Sequence, residues 1–424
     1  MKLTVAKSEL RGRVPIPGSK SHTIRAVALA SLAEGVSQII APLDSADTAA
    51  AVDCYRRLGA RITTGPTWTI EGTAGRLRVP DNVIDVANSG ATLRFALGSA
   101  ALLAKGTAVF TGDEQVRERP LGPLITSLNE LGANCRSTRG NGRAPVWIEG
   151  TLRGGRTNIE AVTSQYLSSL LINCPLATDD TIINVIGLNE RPYVEMTLRY
   201  LDEQGISYEN DAMQCFTIKG GQGYRAFNKR IPADFSSATF FFCAGAILDG
   251  ELILEGLDFT DAQGDKAVVD ILRDMGADIH LNGTEAVVHR GQLHGIDIDL
   301  NATPDALPAL AVVACFAKGP TKLYNVAQAR FKETDRIAVM AAELRKLGAD
   351  VAELEDGLKI TPAPLHGAEL CGHHDHRVVM ALSLAGMALD QDCSIDTAEA
   401  VDVTFPNYVK LMQTAGARLE QQTG

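Results

Sequence analysis

The sequence lacks most of what would mark a membrane, secreted or nucleic-acid-binding protein. Apolar runs such as ATFFFCAGAIL (238–248) fall short of the roughly 20 residues a helix needs to cross a bilayer. The first residues lack the apolar core of a signal peptide. Eight cysteines stand singly with no CxxC pair, which suits a reducing cytoplasm better than a disulfide framework, and Cys174, Cys243 and Cys315 sit inside apolar runs as packing residues. Basic residues are in deficit, 40 against 51 acidic, and a net charge of −11 argues against a partner that must be held by displacing counterions, so no nucleic acid is expected. GSKS (18–21) lacks the glycine directly before lysine that a Walker loop requires; alone it reads as a polar helix start capped by Ser19 or Ser21.

What the chain has is repetition. Six times a helix-like stretch meets a glycine and then strand-like residues: RLGARI, ELGANC, EQGISY, DMGADI, KLGADV and TAGARL. The glycines Gly59, Gly132, Gly205, Gly276, Gly348 and Gly416 are 73, 73, 71, 72 and 68 residues apart. Glycine just past a last helical turn takes the left-handed conformation that side chains resist, so each copy reads as helix, cap, strand. A period of this size predicts a fold made of repeated units.

A second series alternates with the first. Polar residues open Ala/Leu-rich runs near Lys20, Ser89, Ser164, Ser236, Asp305 and His376. Each unit therefore carries one helix buried nearly all round and one amphipathic helix, with short strands such as TWTIEG, PVWIEG and CFTIKG between them, in the sense βαβαββ. At 424 residues the chain exceeds one core and predicts two domains of three units each. The expected boundary lies near IPADFSS, dividing 16–232 from 233–424. The strand-like opening MKLTVAK is expected to join the second domain, so that 1–15 belongs with 233–424 and the link is double.

In an acidic chain the placing of cations is informative. Lys20, Arg25, Arg94, Arg117, Arg119, Lys332, Arg336 and Arg377 lie near helix starts, where free N–H groups and the dipole already favour an anion. If the buried helices aim these starts at a shared cleft, the ligands are small polyanions. Each motif has a plainer reading. KETDR (332–336) alone is a solvated first turn, Asp305 an ordinary cap and Tyr193 a half-buried packing residue. His373, His374, Asp375 and His376 look like metal ligands, but their spacing does not suit a defined coordination geometry.

Taken together, PGSKSHTIR (17–25), NSGATLR (88–94), RERPLG (117–122), TSQYL (163–167), RPYVEMT (191–197), PDALPA (304–309), KETDRI (332–337), DHRVVMAL (375–382) and TFPNY (404–408) resemble the enolpyruvyl transferase family, most closely its branch acting on shikimate 3-phosphate. The resemblance covers essentially the whole chain. It implies an α/β fold, an inverse α/β prism of two domains with three βαβαββ repeats each, closing like jaws on its substrates. It further implies transfer of the carboxyvinyl group of phosphoenolpyruvate to the 5-hydroxyl of shikimate 3-phosphate, with phosphate released and no metal or organic cofactor, by a cytoplasmic protein acting as a monomer.

By the same resemblance, Lys20 and Glu333 handle the proton at the enol carbon and Asp305 orients and deprotonates the hydroxyl. Arg119, Arg336, Arg377 and His376 hold phosphoenolpyruvate, with Asn88 and Gly90 lining that side. Arg25 and Tyr193 hold the acceptor's carboxylate; Ser21, Thr163, Ser164 and Lys332 hold its phosphate and hydroxyls; Gln165 lies between the substrates. Gly90 leaves room for a glycine-derived phosphonate inhibitor such as glyphosate.

Four positions depart from the family pattern. Val403 stands where lysine is usual before TFP, Glu190 where serine is usual near the acceptor's phosphate, Gln328 for asparagine and Thr163 for serine. A carboxylate at 190 repels phosphate unless a cation such as Arg191 pairs with it. These departures leave open a paralogous carboxyvinyltransferase with a different hydroxylated cyclic acceptor, and a non-catalytic binder of anionic metabolites. Retention of Lys20, Asp305 and Glu333 together speaks against the binder.

Overall fold

Each of the six repeat glycines ends its helix in the same way. In the first repeat the helix Ala46–Arg57 is followed by Leu58, and the N–H of Gly59 donates to the carbonyl of Arg56 while that of Ala60 donates to Tyr55. The same pair of bonds recurs from Gly132 and Ala133, Gly205 and Ile206, Gly276 and Ala277, Gly348 and Ala349, and Gly416 and Ala417. This is the Schellman cap, which satisfies carbonyls left open at a helix end. It requires positive φ at the glycine, and the six values run from 68° to 113°. A side chain there costs about 1–2 kcal/mol, which explains the glycine at every recurrence.

The structure, a computed structural model, describes residues 1–422. Among them lie six four-stranded sheets with one common strand order. In the third repeat, Gly155–Glu160 pairs in parallel with Thr181–Ile186, which pairs antiparallel with Cys215–Ile218, itself beside Tyr208–Asp211. The parallel pair is joined through the helix Ser164–Asn173, as a parallel crossover demands. The expected strands TWTIEG, PVWIEG and CFTIKG appear as Thr67–Glu71, Val146–Glu149 and Cys215–Ile218.

Three sheets borrow a strand from a distant part of the chain. Asn228–Arg230, after the third repeat, runs parallel to Val36–Ile40 of the first. Leu10–Pro15 runs parallel to Gly250–Glu255 of the fourth. Lys2–Ala6 lies between Cys393–Ile395 and Arg418–Gln422 of the sixth, antiparallel to both. The contacts accordingly divide the chain into one compact unit of Met1–Pro17 with Pro232–Gly424 and a second of Gly18–Ile231.

Within the 18–231 unit the inner helices are Lys20–Leu32, Gly90–Ala100 and Ser164–Asn173; within the other they are Phe235–Ile247, Leu307–Cys315 and His376–Ala388. All thirteen residues of Phe235–Ile247 are buried, the pattern of a helix apolar on every face. Small residues let such helices approach closely. A Cβ at Gly98 would sit 2.4 Å from Ser169 Oγ and 2.6 Å from Asn173 Nδ2 on the neighbouring helix. Hydroxyl and amide groups buried at this contact are satisfied internally: Tyr55 Oη bonds Ser99 Oγ at 3.0 Å, and Ser99 Oγ donates to Asn173 Oδ1 at 2.9 Å. No helix among the described residues is long and apolar enough to cross a membrane.

Candidate active site

Each unit gathers its own set of charged residues at the starts of its inner helices. In the 1–17 and 232–424 unit the centre is Arg336, second only to Trp68 in size among the fully buried side chains and 1 % exposed. KETDR is therefore no solvated turn. Asp335 caps the helix Arg336–Lys346 by accepting from the N–H of Ala338 at 3.0 Å, and the arginine beyond it turns inward. Its guanidinium meets three carboxylates: Nη1 to Asp305 Oδ1 at 2.8 Å, Nη2 to Glu333 Oε2 at 2.6 Å, and Nε to Asp375 Oδ2 at 2.8 Å. The fork geometry of guanidinium makes one side chain able to serve all three.

Asp305 lies in the short turn Pro304–Ala306 before Leu307–Cys315 and does not cap that helix. Arg377 Nη2 reaches its Oδ2 at 3.0 Å and Lys332 Nζ its Oδ1 at 3.8 Å, so three of the cations singled out in the sequence converge on one carboxylate. Burial pushes Asp305 up, but Arg377, Lys332 and Arg336 outweigh burial and hold it well below the ordinary carboxylate range. Asp375, wholly buried, is likewise raised by burial, but the charge and hydrogen bond of Arg336 together with His376 leave it below its ordinary value; it also caps His376–Ala388 by accepting from the N–H of Arg377 at 2.9 Å. His376 is buried with Nδ1 3.9 Å from Asp375.

Asp265 was not singled out by its sequence. It is 2 % exposed, accepts from Ser236 Oγ through Oδ2, and its Oδ1 is buried without a hydrogen-bond partner. Burial and then the charge of Asp305 push it up to about 7, against the opposing pull of Arg377. Two neighbouring carboxyl groups are thus driven in opposite directions, the arrangement that separates acid from base.

In the 18–231 unit the second set forms around Gly90. A Cβ on Gly90 would lie 2.6 Å from Arg119 Nη1 and 2.7 Å from Arg94 Nη1, so the bare backbone is what lets both guanidinium groups close on this helix start. Asn88 accepts from Arg119 Nη2 at 3.4 Å and donates to Asp113 Oδ2 at 2.6 Å and Gln115 Oε1 at 2.5 Å. Arg94 donates to Gln165 Oε1 at 2.7 Å and stands over the Tyr166 ring.

Arg25 is 3 % exposed, and its hydrogen bonds go to neutral groups: Thr197 Oγ1 and the Tyr193 carbonyl, both at 2.9 Å, the Ser21 carbonyl at 3.1 Å and Ser168 Oγ at 3.4 Å. Burial pulls it down to about 10, while the charge of Glu190 acts the other way. Lys20 pairs with Asp47 at 2.9 Å, a partner from the helix Ala46–Arg57 that its sequence does not advertise. Ser19 occupies the cap position of Lys20–Leu32, yet its side chain makes no cap bond.

At the start of Ser164–Asn173 stands Glu190. Its Oε2 accepts from Ser164 Oγ at 2.7 Å, Ser164 N at 3.2 Å and Thr163 Oγ1 at 3.1 Å. Arg191 pairs instead with Glu195 on its own helix at 3.0 Å. Of the other departures, Val403 is half-buried in Val401–Thr404, and Gln328 is buried, its Nε2 donating to the Asn301 carbonyl at 3.1 Å. Among the described residues no three His, Cys, Asp or Glu side chains group as a metal site; His373 Nε2 meets Glu343 Oε1 at 2.9 Å. A cavity of about 400 Å³ lined by Asp249, Arg290, Gln292 and Lys318 lies at the opposite, C-terminal ends of Phe235–Ile247 and Leu307–Cys315.

Known proteins match this chain along its length. A family described as EPSP synthase (3-phosphoshikimate 1-carboxyvinyltransferase) matches residues 5–412. The 3-phosphoshikimate 1-carboxyvinyltransferase of Acetivibrio thermocellus is 56 % identical over 418 residues, covering 98 % of this chain and 99 % of that protein. The structure of EPSP synthase from Acinetobacter baumannii superposes with a TM-score of 0.82 at 28 % identity, covering 99 % of this chain and all of that one. The enolpyruvyl transferase NikO from Streptomyces tendae shares the fold, with a TM-score of 0.80 at 20 % identity over all of this chain and 99 % of its own. With the sixfold repeat, the arginine-centred carboxylate cluster and a match spanning nearly every residue, the chain belongs to the EPSP synthase family.

Proposed function

We propose that this protein is a 3-phosphoshikimate 1-carboxyvinyltransferase, joining phosphoenolpyruvate to the 5-hydroxyl of shikimate 3-phosphate and releasing phosphate on the shikimate route to chorismate. The observation that carries the reading is Asp305, a carboxylate held ionised by Arg377, Lys332 and Arg336 in a chain matching the family from end to end. In the reaction the hydroxyl oxygen bonds to C2 of phosphoenolpyruvate, its proton leaves to a base and C3 gains a proton. The tetrahedral intermediate then loses that C3 proton and expels phosphate, restoring the double bond in the product.

Asp305 is the base, and the cations around it control its strength. A carboxylate ringed by three cations is a weak base. Phosphoenolpyruvate brings a carboxylate and a phosphate, which draw Arg336 and Arg377 away from Asp305 and raise its affinity for a proton as the hydroxyl arrives. Glu333, 2.6 Å from Arg336, is released by the same exchange to serve C3 together with Lys20. Arg119, Asn88, Gly90 and His376 complete the phosphoenolpyruvate contacts. Ser21, Arg25, Thr163, Ser164, Gln165, Tyr193 and Lys332 take the acceptor.

The reading carries with it a monomeric cytoplasmic enzyme without metal or organic cofactor; of these, the cytoplasmic location is supported by eight unpaired cysteines, which suit a reducing compartment. A phosphate-release assay with phosphoenolpyruvate and a panel of acceptors tests it. Release with shikimate 3-phosphate, lost in Glu333→Gln while that variant still binds phosphoenolpyruvate, is the expected outcome. Release with another cyclic acceptor and none with shikimate 3-phosphate would overturn the substrate assignment.

A further inference from the structure

The helix start at Ser164 already holds an anion, supplied by the chain. One oxygen of Glu190 takes three hydrogen bonds there, from Ser164 Oγ, Ser164 N and Thr163 Oγ1, and the residue is 2 % exposed. Its backbone is left-handed, φ 57° and ψ 42°, a conformation a glutamate accepts at a cost of about 1–2 kcal/mol. Its carbonyl accepts from the N–H of Tyr193 at 3.0 Å, fixing the residue at the head of Arg191–Glu203. The charges of the buried Arg25 and Arg94 both act on its carboxylate. Helix start and two hydroxyls make the anion cradle, and the positive charges of Arg25 and Arg94 act on it from beyond these contacts.

Thr163 and Ser164 are the residues to which the proposed function gives the acceptor's phosphate, and the present inference rests on that reading. A carboxylate and a phosphate cannot share these donors, because like charges about 3 Å apart in a desolvated site repel strongly. We infer that Glu190 is an intramolecular competitor for the acceptor's phosphate: its carboxylate fills the cradle formed by Thr163 and Ser164 until the phosphate displaces it, and this exchange sets the affinity for phosphorylated acceptors. The carboxylate keeps the two arginines compensated while the site is empty. The phosphate takes over because it offers more charge and more acceptor oxygens to the same donors. Serine at this position would add a donor to the cradle and remove the rival.

Calorimetric titration of the unaltered chain, Glu190→Ser and Glu190→Gln with shikimate 3-phosphate, unphosphorylated shikimate and inorganic phosphate tests this at fixed ionic strength. Glu190→Ser should tighten shikimate 3-phosphate and inorganic phosphate at least tenfold, about 1.4 kcal/mol, and shikimate by less than twofold. Glu190→Gln, which keeps the shape and removes the charge, should show part of the same gain and stands in if the serine variant melts early. Unchanged or weaker binding of both phosphate-bearing probes by folded variants overturns the inference. The inorganic phosphate arm separates the two proposals: a gain there, with no turnover of shikimate 3-phosphate by the unaltered chain, upholds the competitor and removes the substrate reading.

Discussion

Replacing Arg336 with methionine tests the electrostatic account of the site most directly. The guanidinium is 1 % exposed and bonds Asp305, Glu333 and Asp375 at 2.6–2.8 Å. Removing one partner of a buried ion pair costs about 3–5 kcal/mol, because the remaining charge is left desolvated. Asp305 keeps Arg377 at 3.0 Å, so its loss is partial, whereas Asp375, with no exposed surface, loses the cation that chiefly offsets its burial. The expected destabilisation at pH 7.5 is therefore about 4 kcal/mol. For a unit of roughly 200 residues that corresponds to about 8–16 °C in melting temperature.

The deficit should also depend on pH. Asp305 and Asp375 have folded pKa values below their unfolded ones, so the stability they bring is present above the unfolded value near 4 and is lost as pH falls. Without Arg336 their folded values rise, and the variant loses less to acid than the parent does. Thermal melts of both proteins from pH 8 to pH 3 should show the gap steady down to about pH 5 and narrowing below it. A gap below about 1 kcal/mol at pH 7.5, or one that stays constant over that range, would refute the reasoning.

Two further perturbations follow from the same geometry. Asp265 has its folded value raised to about 7 from 3.8, so it costs stability progressively as pH rises between those values; Asp265→Asn removes a cost of up to about 4 kcal/mol above pH 7. Melting curves for that variant and the parent should diverge upward from pH 5 to pH 8, and parallel curves would show that Asp265 is not held neutral. At Gly90→Ala the new methyl displaces Arg119 and Arg94, and weakening one charge-assisted contact raises the KM for phosphoenolpyruvate about tenfold; steady-state kinetics with an unchanged KM would mean neither arginine has to move.

Repeat architecture was legible because its signals are local. A glycine forced into positive φ between a helix end and the strand that follows leaves a mark that needs no partner elsewhere, as Gly59 and Gly348 illustrate. The amphipathic and wholly buried helices were legible for the same reason. The site was legible as a roll of residues but not as a network. Arg336 joins Asp305 and Asp375, 31 and 39 residues away, and Lys20 joins Asp47, 27 residues away; no periodicity encodes such pairings. Asp265 stayed hidden because nothing in QGDKA distinguishes a buried acid from a solvated one. Glu190 was conspicuous as a departure, yet its expected partner Arg191 turns to Glu195, and the hydroxyls and backbone of a neighbouring helix receive it instead.

The strand Lys2–Ala6 finds its neighbours at Cys393–Ile395 and Arg418–Gln422. In synthesis Lys2–Ala6 precedes both of these neighbours and waits unpaired until they have been made. The Gly18–Ile231 unit is under no such delay, since Asn228–Arg230 closes its first sheet as soon as that stretch leaves the exit tunnel. Synthesis order and assembly order are inverted at the amino end. Until those neighbours are made the backbone donors and acceptors of Lys2–Ala6 are open, and the neighbouring charges of Lys2, Lys7 and Glu9 disfavour premature pairing.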